Sequence, residues 1–338
     1  MKFRPAPRRL LAAAAAVLFT AGVTGCSAGA SEGEQTTIRY QTNAGIVDLA
    51  ELADALGYLD GLRLERVGDV QGGPESLRAV ATNQVEYGGA FNGAIAKLAS
   101  TGAPITAVVA YYGSSGDVSS SLLVKKDSKI RDARDLIGKK VAVNTLGANA
   151  EAVLDTYLEQ EGLSAPEIEQ VTLVPLPGIN SEAALREGQV DASYLFGSLK
   201  EVALGHGGLV ELVNDIELVG PYSAGSYVLR DDFIKRNPST TKKFVGAMAK
   251  AVEYSQTHSV KEIRELMKGY LADHGRGDFA AALDLWRGTG VPRDGGVISD
   301  EDFAMWLGWL EEAGEVDTGA IKPDEIYTND FNPYAKDN

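Results

Sequence analysis

Strand-like and helix-like segments alternate in two successive series along this chain, and that alternation restricts its fold more than any other feature. The first series begins with the strand-like residues 37–40 and ends with the continuous apolar run 105–111. The second series covers residues 140–213. Crossovers between parallel strands are right-handed and place helices on both faces of the sheet. We therefore predict an α/β protein with two parallel-rich sheets flanked by helices.

The pattern changes after residue 238. Apolar residues recur at helical spacing over residues 238–257, 260–273, 278–286 and 299–313. Pro238 directly follows Asn237, and proline is favoured in the first turn of a helix. We therefore predict a helical C-terminal segment.

The first 25 residues have the order of a secretory signal peptide. Four basic residues precede the apolar run 10–20, which is about half the ~20 residues that a membrane-spanning helix needs. The sequence Val-Thr-Gly-Cys26 follows and resembles the lipobox of bacterial lipoproteins, in which the cysteine is lipidated and becomes the mature N-terminus. An ordinary secretion signal with an incidental cysteine is the alternative. Arg8-Arg9 could mark twin-arginine export, but the surrounding residues match that signal only loosely, so the general secretory route is preferred. We predict an exported protein held by lipidated Cys26 on the outer face of the cell membrane, or on the periplasmic side if an outer membrane exists.

Charge and cysteine content exclude several classes of partner and site. The chain has 32 basic and 47 acidic residues, and cleavage after residue 25 leaves 28 basic against 47 acidic, a net charge of −19. Such acidity disfavours nucleic acid and suits a protein that stays monomeric. Cys26 is the only cysteine, which excludes disulfides and cysteine-based metal sites. The polar stretch 26–36 indicates a flexible tether between lipid and protein.

Four segments, in the same order, resemble the substrate-binding proteins of ABC importers for sulfonates, nitrate, taurine and thiamine precursors. They are 54–59 (DALGYL), 75–88 (ESLRAVATNQVEYG), 130–143 (IRDARDLIGKKVAV) and 182–192 (EAALREGQVDA). The resemblance implies a two-lobed periplasmic-binding-protein type II fold with a ligand cleft between the lobes. By that pattern, lobe one comprises 37–122 and 223–338, and lobe two comprises 123–222. It also implies that a permease and an ATPase are the protein's partners.

Ligand-binding residues are expected in the loops that follow the strands, because open α/β sheets bind ligands beyond the carboxyl ends of their strands. These loops are rich in amides, hydroxyls and glycines, which also serve as ordinary turn formers and helix caps. The residues predicted to bind ligand are Gln41, Asn43, Gln71, Gly72, Phe91, Asn92, Thr145, Asn149, Phe196 and Tyr222.

The loops contain no lysine or arginine, and this bears on the ligand. A sulfonate can be held by helix N-termini and amides without a cationic side chain. The alternative is a neutral heterocycle, such as a thiamine pyrimidine precursor, stacked on Phe91, Phe196 or Tyr222 unless these aromatics are core residues. We predict a small polar solute of the sulfonate, taurine or nitrate type.

Motifs of catalysis are absent from the sequence. It has no Gly-x-Ser-x-Gly, no phosphate-binding loop and no His-Glu-x-x-His, and its three histidines are scattered. Some eukaryotic members of the resembled group are pyrimidine-synthesising enzymes with functional His and Cys clusters, which this chain lacks. We therefore predict a binding protein with no cofactor and no metal; a lipoprotein sensor or enzyme on the same fold is the alternative.

Overall fold

The computed structural model describes residues 33–42, 47–70, 72–317 and 319–335. The predicted signal peptide, Cys26 and most of the tether lie outside the described residues, as do Asn43 and Gln71. Among the described residues, no helix is both long enough and apolar enough to cross a membrane.

Ten strands lie within the described ranges. They are β1 Thr37–Thr42, β2 Arg63–Asp69, β3 Tyr87–Phe91, β4 Ile105–Ser114, β5 Ser121–Lys125, β6 Lys140–Val143, β7 Thr172–Pro175, β8 Ala192–Leu195, β9 Leu209–Asn214 and β10 Tyr222–Arg230.

Twelve α-helices lie in the same described part of the chain. They are α1 Leu49–Ala55, α2 Gly73–Ala81, α3 Asn92–Ser100, α4 Asn149–Gln160, α5 Ala165–Ile168, α6 Gly178–Glu187, α7 Gly197–Gly205, α8 Asp215–Val219, α9 Asp231–Arg236, α10 Pro238–Thr257, α11 Val260–Asp273 and α12 Glu301–Glu312. The predicted helix over 278–286 is instead a 3₁₀-helix, Gly277–Leu285.

The strands form one pair and two larger sheets. β1 pairs with β2 in parallel, and the order β3-β10-β4 makes a three-stranded sheet with β10 antiparallel to both neighbours. The five-stranded sheet has the order β7-β6-β8-β5-β9, in which β6 is parallel to β7 and β8. β5 is antiparallel to β8 and β9. Parallel pairing thus joins β1 to β2 and β6 to β7 and β8. The three-stranded sheet is not parallel-rich as predicted, because β10, which returns the chain from the five-stranded sheet, pairs antiparallel between β3 and β4.

The larger hydrophobic core lies between the three-stranded sheet and the C-terminal helices. Tyr87 of β3 is buried against Phe244 of α10, with ring centroids 5.0 Å apart. Phe303 of α12 is also fully buried in this core. The C-terminal helices are therefore part of the packing of the first sheet, since their apolar faces would otherwise be exposed to water.

A second core surrounds β5, β6 and α4 and reaches across to α12. Trp306 of α12 is fully buried, with its ring 4.9 Å from Phe91 and 5.7 Å from Tyr222. Phe91 ends β3 and Tyr222 begins β10, so this aromatic cluster lies at one end of the three-stranded sheet. It holds in place the strand ends around which the functional site is built.

Candidate functional site

A cavity of about 350 Å³ lies among residues contributed by both larger sheets and by the C-terminal segment. Its volume falls in the range of small-molecule binding sites. From the side of the three-stranded sheet it is lined by Val47, Gly72, Gly73, Pro74, Ala90, Phe91, Ala94, Tyr111, Tyr112, Gly113, Ser114 and Ala224. The five-stranded sheet and the connecting segment contribute Val118, Ser120, Asn144, Thr145, Ala148, Asn149, Phe196, Gly197 and Ser198. Trp286, Arg287, Gly288 and Thr289 complete the wall.

Three helices begin at this cavity without a side-chain cap. The N-cap residues of α2, α4 and α7 are Gly72, Ala148 and Phe196, and none makes a side-chain cap hydrogen bond. Glycine, alanine and phenylalanine have no side-chain acceptor, so they cannot satisfy the amides of the first helical turn as serine or aspartate would. Because each helix N-terminus also carries a partial positive charge, the cavity wall is suited to an anionic group.

Arg287 adds a cationic side chain that the sequence-based expectation of an uncharged site missed. It is partly exposed, and its Nη1 donates a hydrogen bond of 3.2 Å to the carbonyl of Asp284. The residue follows the 3₁₀-helix Gly277–Leu285 and is far in sequence from any strand end. Reasoning from strand ends could not find Arg287, because the residue directly follows the segment 278–286, which the sequence predicted to be a C-terminal helix.

Two glycines allow the segment 286–290 to lie against the end of β4. Gly288 has a φ of 138° and Gly290 a φ of 66°, values that other residues rarely adopt. A Cβ at Gly290 would lie 2.1 Å from the carbonyl oxygen of Gly113. The Gly113 amide donates to the Thr289 carbonyl at 2.9 Å, and Ser115 Oγ donates to the Gly290 carbonyl at 2.9 Å. This close backbone contact places Arg287 in the cavity wall.

Aromatic side chains make up much of the remaining wall. Phe91, Tyr111, Tyr112, Phe196 and Trp286 all line the cavity. The rings of Tyr111 and Tyr112 meet edge to face with centroids 4.8 Å apart. These rings offer apolar faces beside the polar helix starts, so the cavity can hold a ligand with one charged end and one apolar end.

A buried carboxylate ties together the two segments that connect the larger sheets. Asp215 is fully buried; its Oδ1 accepts from the Ser120 amide at 3.0 Å and its Oδ2 from Ser114 Oγ at 2.5 Å. The Tyr222 hydroxyl lies 3.2 Å from Oδ2 and 3.2 Å from the side chain of Asn149. It can donate to Asp215 while it accepts from Asn149 Nδ2. Since Asn149 lines the cavity, the cavity wall is linked by hydrogen bonds to both connecting segments.

Burial controls the ionisation of this group. It raises the pKa of the Asp215 carboxyl above its ordinary value, and the hydrogen bonds from Ser114, Ser120 and Tyr222 oppose that rise. The same burial, together with the charge of Asp215, raises the pKa of Tyr222. The tyrosine therefore stays protonated and available as a donor.

The predicted site residues divide into three groups. Gly72, Phe91, Thr145, Asn149 and Phe196 line the cavity, and a binding role for them stays a prediction. Asn149 is not the cap of α4, because the N-cap is Ala148 and the Asn149 side chain contacts Tyr222. Asn43 and Gln71 lie outside the described residues.

The third group does not line the cavity and comprises Asn92, Tyr222 and Gln41. Asn92 is fully buried; its Nδ2 donates to the carbonyls of Ser223 and Asp302 at 3.0 and 3.2 Å, and its Oδ1 has no hydrogen-bond partner among the described residues. Tyr222 is buried behind Asn149. Gln41 is partly buried, and its Oε1 has no hydrogen-bond partner among the described residues. None of the three residues lines the cavity in this structure, and a binding role for them stays a prediction.

Titratable side chains elsewhere do not form a metal centre in the part of the chain that the structure describes. No group of three or more His, Cys, Asp or Glu side chains there is placed to hold a metal ion.

Comparisons with known proteins agree with this architecture. The family model described as "NMT1/THI5 like" matches residues 31–261. The chain is 30% identical over 239 residues to the taurine-binding periplasmic protein of Escherichia coli (strain K12), covering 70% of this chain and 68% of that protein. It is 26% identical over 253 residues to a putative aliphatic sulfonates-binding protein of Bacillus subtilis (strain 168), covering 72% and 73%.

Solved structures give the fold independently. The structure superposes on the periplasmic aliphatic sulphonate binding protein SsuA from Escherichia coli with a TM-score of 0.65 and 18% identity, covering 90% of this chain and 96% of that one. The predicted fold class, an α/β periplasmic-binding-protein fold, is thereby confirmed. With the family model matched over more than half of its length, the chain belongs to the NMT1/THI5-like family.

Proposed function

We propose that this protein is the solute-binding component of an ABC importer and that it captures an organic sulfonate. The observation that carries the proposal is the convergence of three uncapped helix starts and Arg287 on one cavity. Similarity to a taurine-binding and a putative aliphatic-sulfonate-binding protein supports the same ligand class. The captured solute would pass to a permease driven by its ATPase.

A sulfonate fits this wall because its three oxygens share one negative charge and can accept several hydrogen bonds at once. Each helix N-terminus stabilises a nearby anion by about 0.3–1 kcal/mol, and by up to about 2 kcal/mol where it is partly buried. The guanidinium of Arg287 can donate two parallel hydrogen bonds to two of the oxygens. Together these groups replace the water that the anion loses on entering the cavity.

The proposal includes closure of two lobes around the solute. Lobe one would comprise 37–122 and 223–338, and lobe two 123–222. Support comes from the cavity wall, which draws residues from both larger sheets, and from the two segments between the sheets that meet at Asp215. Hinge motion of this kind is common in two-lobed binding proteins.

We further propose that the mature protein is monomeric, exported and anchored by lipid at Cys26. The protein would bind the permease, and it would contact the membrane itself only through this lipid anchor. Replacing Cys26 with Ser should release the protein from membranes, because a thiol is needed for acylation and stable attachment requires more than one acyl chain. Membrane fractionation after a high-salt wash measures this, and a Cys26→Ser variant that still pellets with membranes would contradict the anchor.

A neutral heterocycle is the second candidate, and the aromatic wall favours it. Such a ligand would stack on the rings but leave Arg287 without a counter-charge. The deciding experiment is a thermal-shift screen of refolded protein against sulfonates, nitrate and pyrimidines. At about 100 times its Kd a ligand adds ~2.7 kcal/mol to stability, so the melting temperature should rise with sulfonates. A rise with pyrimidines alone would overturn the sulfonate proposal.

We propose binding without catalysis as well. The similar proteins above are binding proteins by name, and the cavity wall presents no paired nucleophile and base among its described residues. Prolonged incubation with the bound sulfonate should release no sulfite, and sulfite formation by the pure protein would contradict this.

A further inference from the structure

We infer that the cavity selects sulfonates that lack an amine and carry a planar aromatic tail; this inference rests on the proposed sulfonate function. It concerns which member of the ligand class fits this chain. Two independent properties of the wall carry it: the distribution of charge and the arrangement of aromatic rings.

The charge of the wall is of one sign. Among the described residues that line the cavity, Arg287 is the only one with a formal charge at pH 7. An ammonium group entering this cavity would meet Arg287 and the starts of three helices. Glu75 and Glu151 lie in the first turns of α2 and α4, but neither carboxylate lines the cavity to balance an ammonium charge.

The buried carboxylate behind the wall is already engaged. Asp215 contacts Ser114 of the wall, yet its two oxygens accept three hydrogen bonds, from Ser114, Ser120 and Tyr222. Because Asp215 is fully buried, an amine in the cavity could reach its carboxylate only by displacing the groups that cover it. The aminosulfonate taurine should therefore bind more weakly than a sulfonate of the same shape without the amine.

The rings define the other end of the ligand. Trp286 and Arg287 both line the cavity, so its wall offers an aromatic ring as well as a cation. Phe91, Tyr111 and Tyr112 line the same cavity. A sulfonate held at the arginine would place its organic part among these faces, where a flat ring makes more contact than a flexible chain of similar size.

Two matched pairs of probes test the inference by calorimetric titration of the mature protein. Propane-1-sulfonate and taurine differ by a methyl in place of the ammonium, and benzenesulfonate and cyclohexanesulfonate differ in the planarity of the ring. We expect propane-1-sulfonate to bind at least about tenfold tighter than taurine, and benzenesulfonate at least about tenfold tighter than cyclohexanesulfonate, a factor that corresponds to ~1.4 kcal/mol.

The outcomes separate this inference from the proposed function. Taurine binding as tightly as propane-1-sulfonate refutes the charge argument, and equal binding of the two ring sulfonates refutes the aromatic argument, while both results leave the sulfonate function standing. Failure of all four sulfonates to bind refutes the sulfonate function and this inference with it.

Substitutions at Trp286 and Arg287 test which residue causes each of the two binding preferences. Trp286→Leu should reduce the preference for benzenesulfonate over cyclohexanesulfonate to about twofold, whereas Trp286→Phe should retain it because a ring remains. Arg287→Gln should weaken propane-1-sulfonate more than taurine and so narrow their ratio. Arg63→Gln, at an arginine side chain that is 70% exposed and outside the cavity wall, is the control and should change neither ratio. Unchanged ratios in Trp286→Leu and Arg287→Gln would refute the assignment.

Discussion

The hydroxyl of Tyr222 joins Asn149 of the cavity wall to the buried carboxylate of Asp215. It lies 3.2 Å from Asp215 Oδ2 and 3.2 Å from Asn149 Nδ2. Tyr222→Phe removes this hydroxyl and leaves the ring, which packs 5.7 Å from Trp306 and should not move. The substitution therefore tests the hydrogen bonds apart from the packing.

The expected cost follows from the two contacts. A hydrogen bond to a charged group contributes about 1.5–3 kcal/mol and a neutral one about 1 kcal/mol, and both partners of Tyr222 are buried. Distances of 3.2 Å place both bonds towards the weak end. We expect Tyr222→Phe to lower the free energy of unfolding by about 2 kcal/mol at pH 8.

The cost should depend on pH in a defined direction. Burial raises the pKa of Asp215 in the folded protein, and loss of a donor raises it further. The folded variant therefore stabilises the charged carboxylate of Asp215 less than the folded wild type does, and this difference disappears when Asp215 is protonated. The difference between variant and wild type should therefore shrink as the pH falls from 8 to 5.

Urea denaturation of the ligand-free protein at both pH values measures these quantities. Tyr112→Phe is the control, since no hydrogen bond to the Tyr112 hydroxyl occurs within the described part of the chain, and it should cost less than about 0.5 kcal/mol. If Tyr222→Phe costs no more than Tyr112→Phe, or if its cost does not change with pH, the proposed link through Asp215 is wrong.

Three further outcomes are expected. Burial raises the pKa of Asp155 from its ordinary value of 3.8 to about 7, so the folded state loses stability as the pH rises through this interval, where the unfolded chain releases the proton first. Asp155→Asn, which keeps an acceptor for Trp309 Nε1, should therefore add about 1–3 kcal/mol to the free energy of unfolding at pH 8 and progressively less towards pH 4, as measured by urea denaturation. Asn149→Ala should weaken sulfonate binding roughly tenfold to a hundredfold in calorimetric titration, and an unchanged affinity would remove Asn149 from the site. Saturating ligand should reduce the radius of gyration in small-angle scattering, and an unchanged value would indicate a rigid cleft.

Local pattern was enough to predict the elements and much of the site. Alternating strand and helix signals predicted two α/β halves because side-chain periodicity depends only on neighbouring residues. Strand-end reasoning placed Gly72, Phe91, Thr145, Asn149 and Phe196 in the cavity wall, since the carboxyl ends of parallel strands meet at one edge of a sheet. These inferences needed no knowledge of contacts between distant parts of the chain.

Tertiary structure alone decided the rest. Arg287 reaches the cavity because Gly288 and Gly290 let its segment pack on Gly113, a contact between residues more than 170 positions apart. Asn92 was predicted to contact the ligand, but its amide nitrogen donates to the carbonyls of Ser223 and Asp302, which lie 131 and 210 positions away. A polar side chain makes whichever hydrogen bonds the folded chain brings within reach, and sequence spacing does not encode which distant groups those will be.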